Sequence, residues 1–222
     1  MELLYTAHVP AGPGPFPTVL ALHGWGASAH DLLGLAPVLH GGEALVLCPQ
    51  GPTLVDLGQG FQGNGWFPLT AGGPLDPFEF RKGVAALRGF VEQALALYPV
   101  DRRKLVALGF SQGGVMAYDL VLREPKLFAG LAALSSWLPP GLAASIARQP
   151  EHEGLPVLVQ HGTEDPMIPV ANARESREAL LGLGVNLTYR EYEMGHEVRP
   201  DTSLRDLVQW LEERVFQPIQ LV

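Results

Sequence analysis

Apolar residues in this chain gather into short runs separated by segments of helical spacing. Runs at residues 18–22, 44–48, 105–109, 128–134 and 156–160 are mostly continuous and not alternating, the pattern of strands buried on both faces. Between them, residues 31–40, 79–98, 112–123, 170–181 and 202–215 carry helical periodicity. In the second of these, Val84, Leu87, Phe90, Val91, Ala94 and Leu95 fall on one face, the stripe that a core-facing helix needs. Alternating strand and helix predict an α/β fold: a mostly parallel sheet with helices on both faces, right-handed crossovers, and ligand sites beyond the carboxyl ends of the strands. At the start, a strand at 3–8, a Gly-Pro-rich turn and the run at 18–22 predict an antiparallel edge hairpin. Residues 51–77 lack periodicity, are rich in Gly, Pro and Asn, and contain Phe61, Trp66 and Phe67, which read as exposed. Long loops of this kind are usually functional or mobile. No repeat or second domain is visible, so residues 1–222 are expected to form a single domain with the 51–77 loop bordering its site.

Composition narrows the function. With 222 residues, 47% of them hydrophobic and 17% charged, the chain can bury one substantial core. A formal charge of -8 argues against nucleic acid, whose binding depends on clustered Lys and Arg releasing counterions. The N-terminal stretch has no basic segment followed by a long apolar core, and no apolar run approaches about 18 residues. A cytoplasmic protein without membrane insertion is expected. Cys48, the single cysteine, cannot form an internal disulfide and reads as a small buried hydrophobe. Nothing in the sequence specifies an oligomeric state.

The strongest chemical signal is Gly109-Phe110-Ser111-Gln112-Gly113, at the junction of an apolar strand and a helical segment. This is G-x-S-x-G in the strand-turn-helix context that gives it meaning. A nucleophile on so tight a turn occupies strained backbone, and side chains at the flanking positions would collide with neighbouring elements. The helix start also aims backbone N–H groups at the reacting centre. Ser135 and Ser136 end another strand but lack flanking glycines.

A serine hydroxyl needs an imidazole to take its proton, and the imidazole needs a carboxylate to fix its tautomer. In the fold that uses G-x-S-x-G the chain order is Ser, then Asp or Glu, then His. The strand at 156–160 runs into His161-Gly162-Thr163-Glu164-Asp165-Pro166, making Asp165 the expected acid and Glu164 the alternative. The strand-like run at 187–193 leads to Met194-Gly195-His196, making His196 the expected base. His161 precedes Asp165 and breaks the order. An oxyanion hole needs two N–H donors. Gln112, directly after the nucleophile, supplies one, and Trp25, in His23-Gly24-Trp25-Gly26 after an early strand, supplies the other.

With these residues in place, the sequence resembles the phospholipase/carboxylesterase family of α/β-hydrolases, which includes bacterial carboxylesterases and acyl-protein thioesterases. The resemblance rests on LHGWG, GFSQGGVMA, HGTEDPMIPV and MGHEV and spans nearly the whole chain. It implies an α/β-hydrolase fold without a large cap domain, no metal, no diffusible cofactor, and hydrolysis of small acyl esters or thioesters through an acyl-serine intermediate. Acyl transfer or peptide cleavage on the same triad is the alternative chemistry, and a non-catalytic binding protein the alternative class. Family members commonly have an aliphatic residue at the place of Trp25, and Trp-Phe-Asp where this chain has Trp66-Phe67-Pro68. Trp25, Trp66, Phe67 and Met167 are accordingly the expected substrate-contacting side chains, although Trp66 and Phe67 could equally anchor the loop to the core.

Overall fold

A computed structural model describes residues 2–69 and 75–217. Seven strands form one sheet in the order β1-β3-β2-β6-β7-β8-β9: β1 Tyr5–His8, β2 Phe16–Leu22, β3 Leu45–Pro49, β6 Val100–Phe110, β7 Gly130–Leu134, β8 Pro156–Gly162 and β9 Asn186–Tyr192. All neighbours are parallel except β1 and β3. The remaining strands, β4 Thr53–Gly58 and β5 Phe61–Gly65, form a separate antiparallel hairpin. The chain is thus an α/β-hydrolase fold with no large cap among the described residues.

The continuous apolar runs become strands because each is covered on both sides. Along β6, Leu105 and Ala107 face one core and Val106 and Leu108 the other. The first core is closed by α1 Pro77–Leu97, α2 Gln112–Arg123, α3 Pro140–Ser145 and α4 Val170–Leu183. The second is closed by α5 Arg205–Leu211 and by short turns at Leu32–Leu35 and Leu39–Gly42. Asp76 caps α1 through hydrogen bonds from the N–H groups of Phe78 and Glu79 to its carboxylate, and Pro77 occupies the first turn, where a missing N–H costs nothing.

Three expectations need correction. The edge strand does not form a hairpin with β2: β1 pairs with β3, matching Tyr5 with Pro49 and His8 with Val46. β2 is buried from Thr18 to Leu22 and takes parallel partners on both edges, whereas half-exposed β1 suits an outer position. Residues 31–40 form two tight turns and not one helix, because Pro37 interrupts the segment and His40 and Gly41 adopt positive φ (51° and 62°). The 51–77 stretch is not a structureless loop. It contains the β4–β5 hairpin, which turns at Gln59 and Gly60, both at positive φ, the geometry that matches the twist of paired strands. Residues 70–74 of that stretch lie outside the described residues. No helix among the described residues is long and apolar enough to cross a membrane.

Candidate active site

At the carboxyl end of β6 the chain turns abruptly into α2 through Ser111, whose φ of 52° and ψ of -120° lie outside the regions open to an ordinary residue. The turn survives because its surroundings over-determine it. Ser111 N–H donates to Leu134 O (2.9 Å), and Ser111 O accepts from Gly114 N–H (2.9 Å) and from Ser136 Oγ (2.7 Å). Ser136, just past the end of the neighbouring strand, therefore supports the turn. A side chain at Gly113 would overlap the carbonyl oxygens of Leu22 and His23, and one at Gly109 the backbone of Gly113 and Gly114. Close approach of backbone to backbone, more than turn conformation, is what requires glycine at both places.

Asp165 and His196 come together on the loops after β8 and β9. His196 Nδ1–H donates to Asp165 Oδ2 at 2.8 Å, while the N–H groups of Met167 and Ile168 each donate to Asp165 Oδ1 at 2.9 Å. Burial works against the Asp165 charge, but the hydrogen bonds from Ile168, His196 and Met167 outweigh it and hold the carboxyl below the usual carboxylate range. Asp165 is thus a buried, ionised partner for the imidazole. Backbone bonds lash the two loops together, from Thr163 N–H to Tyr192 O (2.8 Å) and from Glu164 N–H to Met194 O (3.2 Å). Glu164, the alternative acid, is exposed on this strap, and the carboxylate that His196 pairs with is that of Asp165.

The His196 loop reaches the strand that ends at Ser111. The Phe110 ring, adjacent to Ser111, packs against His196 with centroids 4.9 Å apart, and Ser135 Oγ donates to Glu197 O at 3.4 Å. The structure has no hydrogen bond between Ser111 Oγ and His196, a contact that commonly tightens only with substrate bound.

On the other flank, the loop after β2 lies against the turn: a Cβ at Gly24 would come within 3.3 Å of Ser111 Cβ. In that loop Gly26 N–H donates to Asn64 O (2.8 Å) and Ala27 N–H to Gly24 O (3.3 Å), while no acceptor among the described residues takes the Trp25 N–H. Gln112 begins α2, so the helix offers its N–H no acceptor either. Two backbone donors are therefore left unengaged beside Ser111. The Trp25 ring seats on Gly65, where any side chain would strike it.

Sequence reasoning treated Gln112 only as a backbone donor. Its buried side chain is a clamp: Oε1 accepts from Trp66 N–H (2.8 Å) and Nε2 donates to Phe67 O (2.7 Å). Trp66 and Phe67 are 0% and 1% exposed, so the reading of them as exposed side chains at the substrate is corrected. Trp66 Nε1 donates to His23 O (2.9 Å) and Phe67 stacks edge-on against Phe80, which makes both anchors of the hairpin. Phe61, by contrast, is exposed. Met167 is 72% exposed beside Asp165 and remains open to a substrate. His23 was also missed: its Nε2 accepts from Gly51 N–H (2.9 Å) and its Nδ1–H donates to Gly24 O (2.7 Å). Burial pushes its imidazole toward the neutral form that this pairing requires. The signal available for these residues was only their place beside glycine-rich turns.

Comparison with known proteins agrees with this architecture. The sequence pattern of the phospholipase/carboxylesterase family matches residues 10–214. Acyl-protein thioesterase 1 of Gibberella zeae is 28% identical over 211 residues, covering 86% of this chain and 88% of its own length. A probable carboxylesterase, SOBER1-like, of Arabidopsis thaliana is 29% identical over 158 residues, covering 68% of this chain and 59% of its own length. Among solved structures, esterase PE8 superposes with a TM-score of 0.83 at 25% identity, covering 96% of this chain and 100% of its own. Arabidopsis thaliana SOBER1 superposes with a TM-score of 0.72 at 25% identity, covering 89% and 98%.

Proposed function

The chain belongs to the phospholipase/carboxylesterase family and is a serine hydrolase of carboxylic esters and thioesters, and from that premise we propose that Ser111, Asp165 and His196 are its triad. His196 takes the Ser111 proton as Oγ attacks the acyl carbonyl, then gives it to the departing alcohol or thiol as the acyl-serine forms. In the second half, His196 takes a proton from water, the resulting hydroxide attacks the acyl-serine, and Ser111 recovers its proton as the acid leaves. Asp165 holds the Nδ1–H tautomer that leaves Nε2 free to act as base. The observation that carries the assignment is the 2.8 Å Asp165–His196 hydrogen bond on loops packed beside a strained Ser111.

The oxyanion formed at each step meets the N–H groups of Gln112 and Trp25. A preorganised pair of this kind is worth about 10²- to 10³-fold per donor. The Trp25 indole and the exposed Met167 side chain wall the acyl site, an arrangement suited to small and medium acyl groups on uncharged substrates.

The test is hydrolysis of p-nitrophenyl esters from acetate to palmitate, with an acyl thioester alongside, by wild type and Ser111→Ala. The expected outcome is turnover by wild type, an optimum at short to medium chain length, and a loss of about 10⁶-fold in kcat for Ser111→Ala. Equal rates in the two proteins would remove Ser111 from the mechanism.

A further inference from the structure

His161 is fully buried at the end of β8, four residues before Asp165, and the reaction as written gives it no task. Its Nε2 faces two acceptors: Ile168 O at 2.8 Å and Asp165 Oδ2 at 3.4 Å. A carbonyl oxygen can only accept, so Nε2 carries the proton. Nδ1 has no partner among the described residues.

The closer contact shows how this N–H acts. Ile168 is bound at both ends: its N–H donates to Asp165 Oδ1 at 2.9 Å, and its carbonyl accepts from His161. The ring therefore holds from beneath the turn that presents two N–H groups to Asp165 Oδ1. With Oδ1 fixed, the carboxylate plane is set and Oδ2 points at His196 Nδ1. The longer contact to Oδ2 adds a second restraint on the same plane.

We propose that His161 is a positioning residue for the catalytic acid: by anchoring the 165–168 turn through Ile168 O, it aims Asp165 Oδ2 at His196. The inference rests on the assignment of Asp165 as the acid. Misplacing a catalytic group by about 1 Å can cost up to 10²-fold in rate, and a carboxylate free to swing gives up part of its hold on the imidazolium. The charged groups around His196 are few. Asp165 faces it from the acid loop, Glu197 on its own loop is paired with Arg199 at 2.8 Å, and the opposite wall is the uncharged Phe110 ring.

The experiment compares His161→Leu, His161→Asn and His161→Gln, alone and combined with Asp165→Asn. The readouts are kcat, KM, the acid limb of the kcat/KM profile and Tm on p-nitrophenyl butyrate. Gln can place its amide N–H near the position of Nε2, whereas Asn is too short to reach Ile168 O. Leu and Asn are expected to lower kcat by about 10-fold with KM unchanged. They should also move the acid limb to lower pH, because an imidazolium less well paired with its carboxylate gives up its proton sooner. Gln should restore most of both. In the Asp165→Asn background, replacing His161 should cost nothing further, as expected of residues that act as one unit.

A fall in Tm with kcat and the acid limb unmoved would reduce His161 to a structural role and overturn the proposal. So would an acid limb moved to higher pH, which would mean that His161 acts by drawing charge from Oδ2 and not by aiming it. Full activity of Asp165→Asn would instead remove the assignment of the acid, a failure distinguishable from that of His161 alone. If the Leu variant does not fold, the contrast between Asn and Gln decides.

Discussion

The Ser111 turn at residues 109–114 and the β4–β5 hairpin both reach Gln112, one through its backbone and the other through its side chain. They are built by opposite means. The turn is made by consecutive residues: a strand end, a strained serine, and glycines whose missing side chains let α2 come against the backbone of Leu22 and His23. The hairpin takes little from its own strands, since in β4 only Val55 is buried. It is held from outside, by Gln112, by the His23 carbonyl, and by the paired hydrogen bonds between Asn64 and the Gly26-Ala27 backbone. A local motif therefore carries Ser111, the proposed nucleophile, while the hairpin beside it is assembled from pieces distant in the chain.

Substitutions can break that contrast, and the largest effect should come from the turn. In Gly113→Ala the new methyl would meet Leu22 O and His23 O, backbone atoms that cannot move without shifting β2. The expected cost is about 3 kcal/mol or more, as for overpacking with no room to relax. At about 2–4 °C per kcal/mol for a chain of this size, thermal unfolding should show the loss directly, and an unchanged Tm would mean that the turn is looser than its contacts imply.

Next should come Gln112→Leu, which keeps the backbone donor but removes the clamp, leaving Trp66 N–H and Phe67 O buried and unpaired. Each orphaned group costs about 1–3 kcal/mol. Ester turnover should also fall, because the hairpin that seats Trp25 loses its hold. Normal activity together with a lowered Tm would separate the hairpin from catalysis.

The smallest effect sharpens the comparison from the other side. Phe61 lies on the same hairpin but is exposed, so Phe61→Ser should change stability by no more than about 0.5 kcal/mol, as measured by denaturant unfolding. A larger loss would show that the hairpin contributes through its outer face as well as its anchors.

The candidate residues that the sequence marked and the structure places at one end of the sheet share a property. Ser111, Asp165 and His196 each sit where an apolar run ends and a helix or turn begins, in the chain order that this fold imposes on a triad. Helix α2 spans the residues its periodicity indicates, because eleven of its twelve residues are buried and little competes with the pattern. The hairpin was not legible because alternation appears only where one whole face of a strand is buried. The misreading of Trp66 and Phe67 has the same origin, since a Gly- and Pro-rich neighbourhood looks like surface until the groups that cover it are known.

By itself, the sequence determined the alternating strands and helices and the turn at Ser111, because each depends on residues close together along the chain, and it marked Asp165 and His196 as candidate acid and base through their order after Ser111. The tertiary structure decided that β1 joins β3, that Gln112 clamps the hairpin, that Trp66 and Phe67 face inward, and that His161 stands beneath Asp165. Those outcomes depend on which hydrogen-bonding groups meet across separations of four to more than forty residues, and a buried polar group accepts whichever partner the packing brings to it.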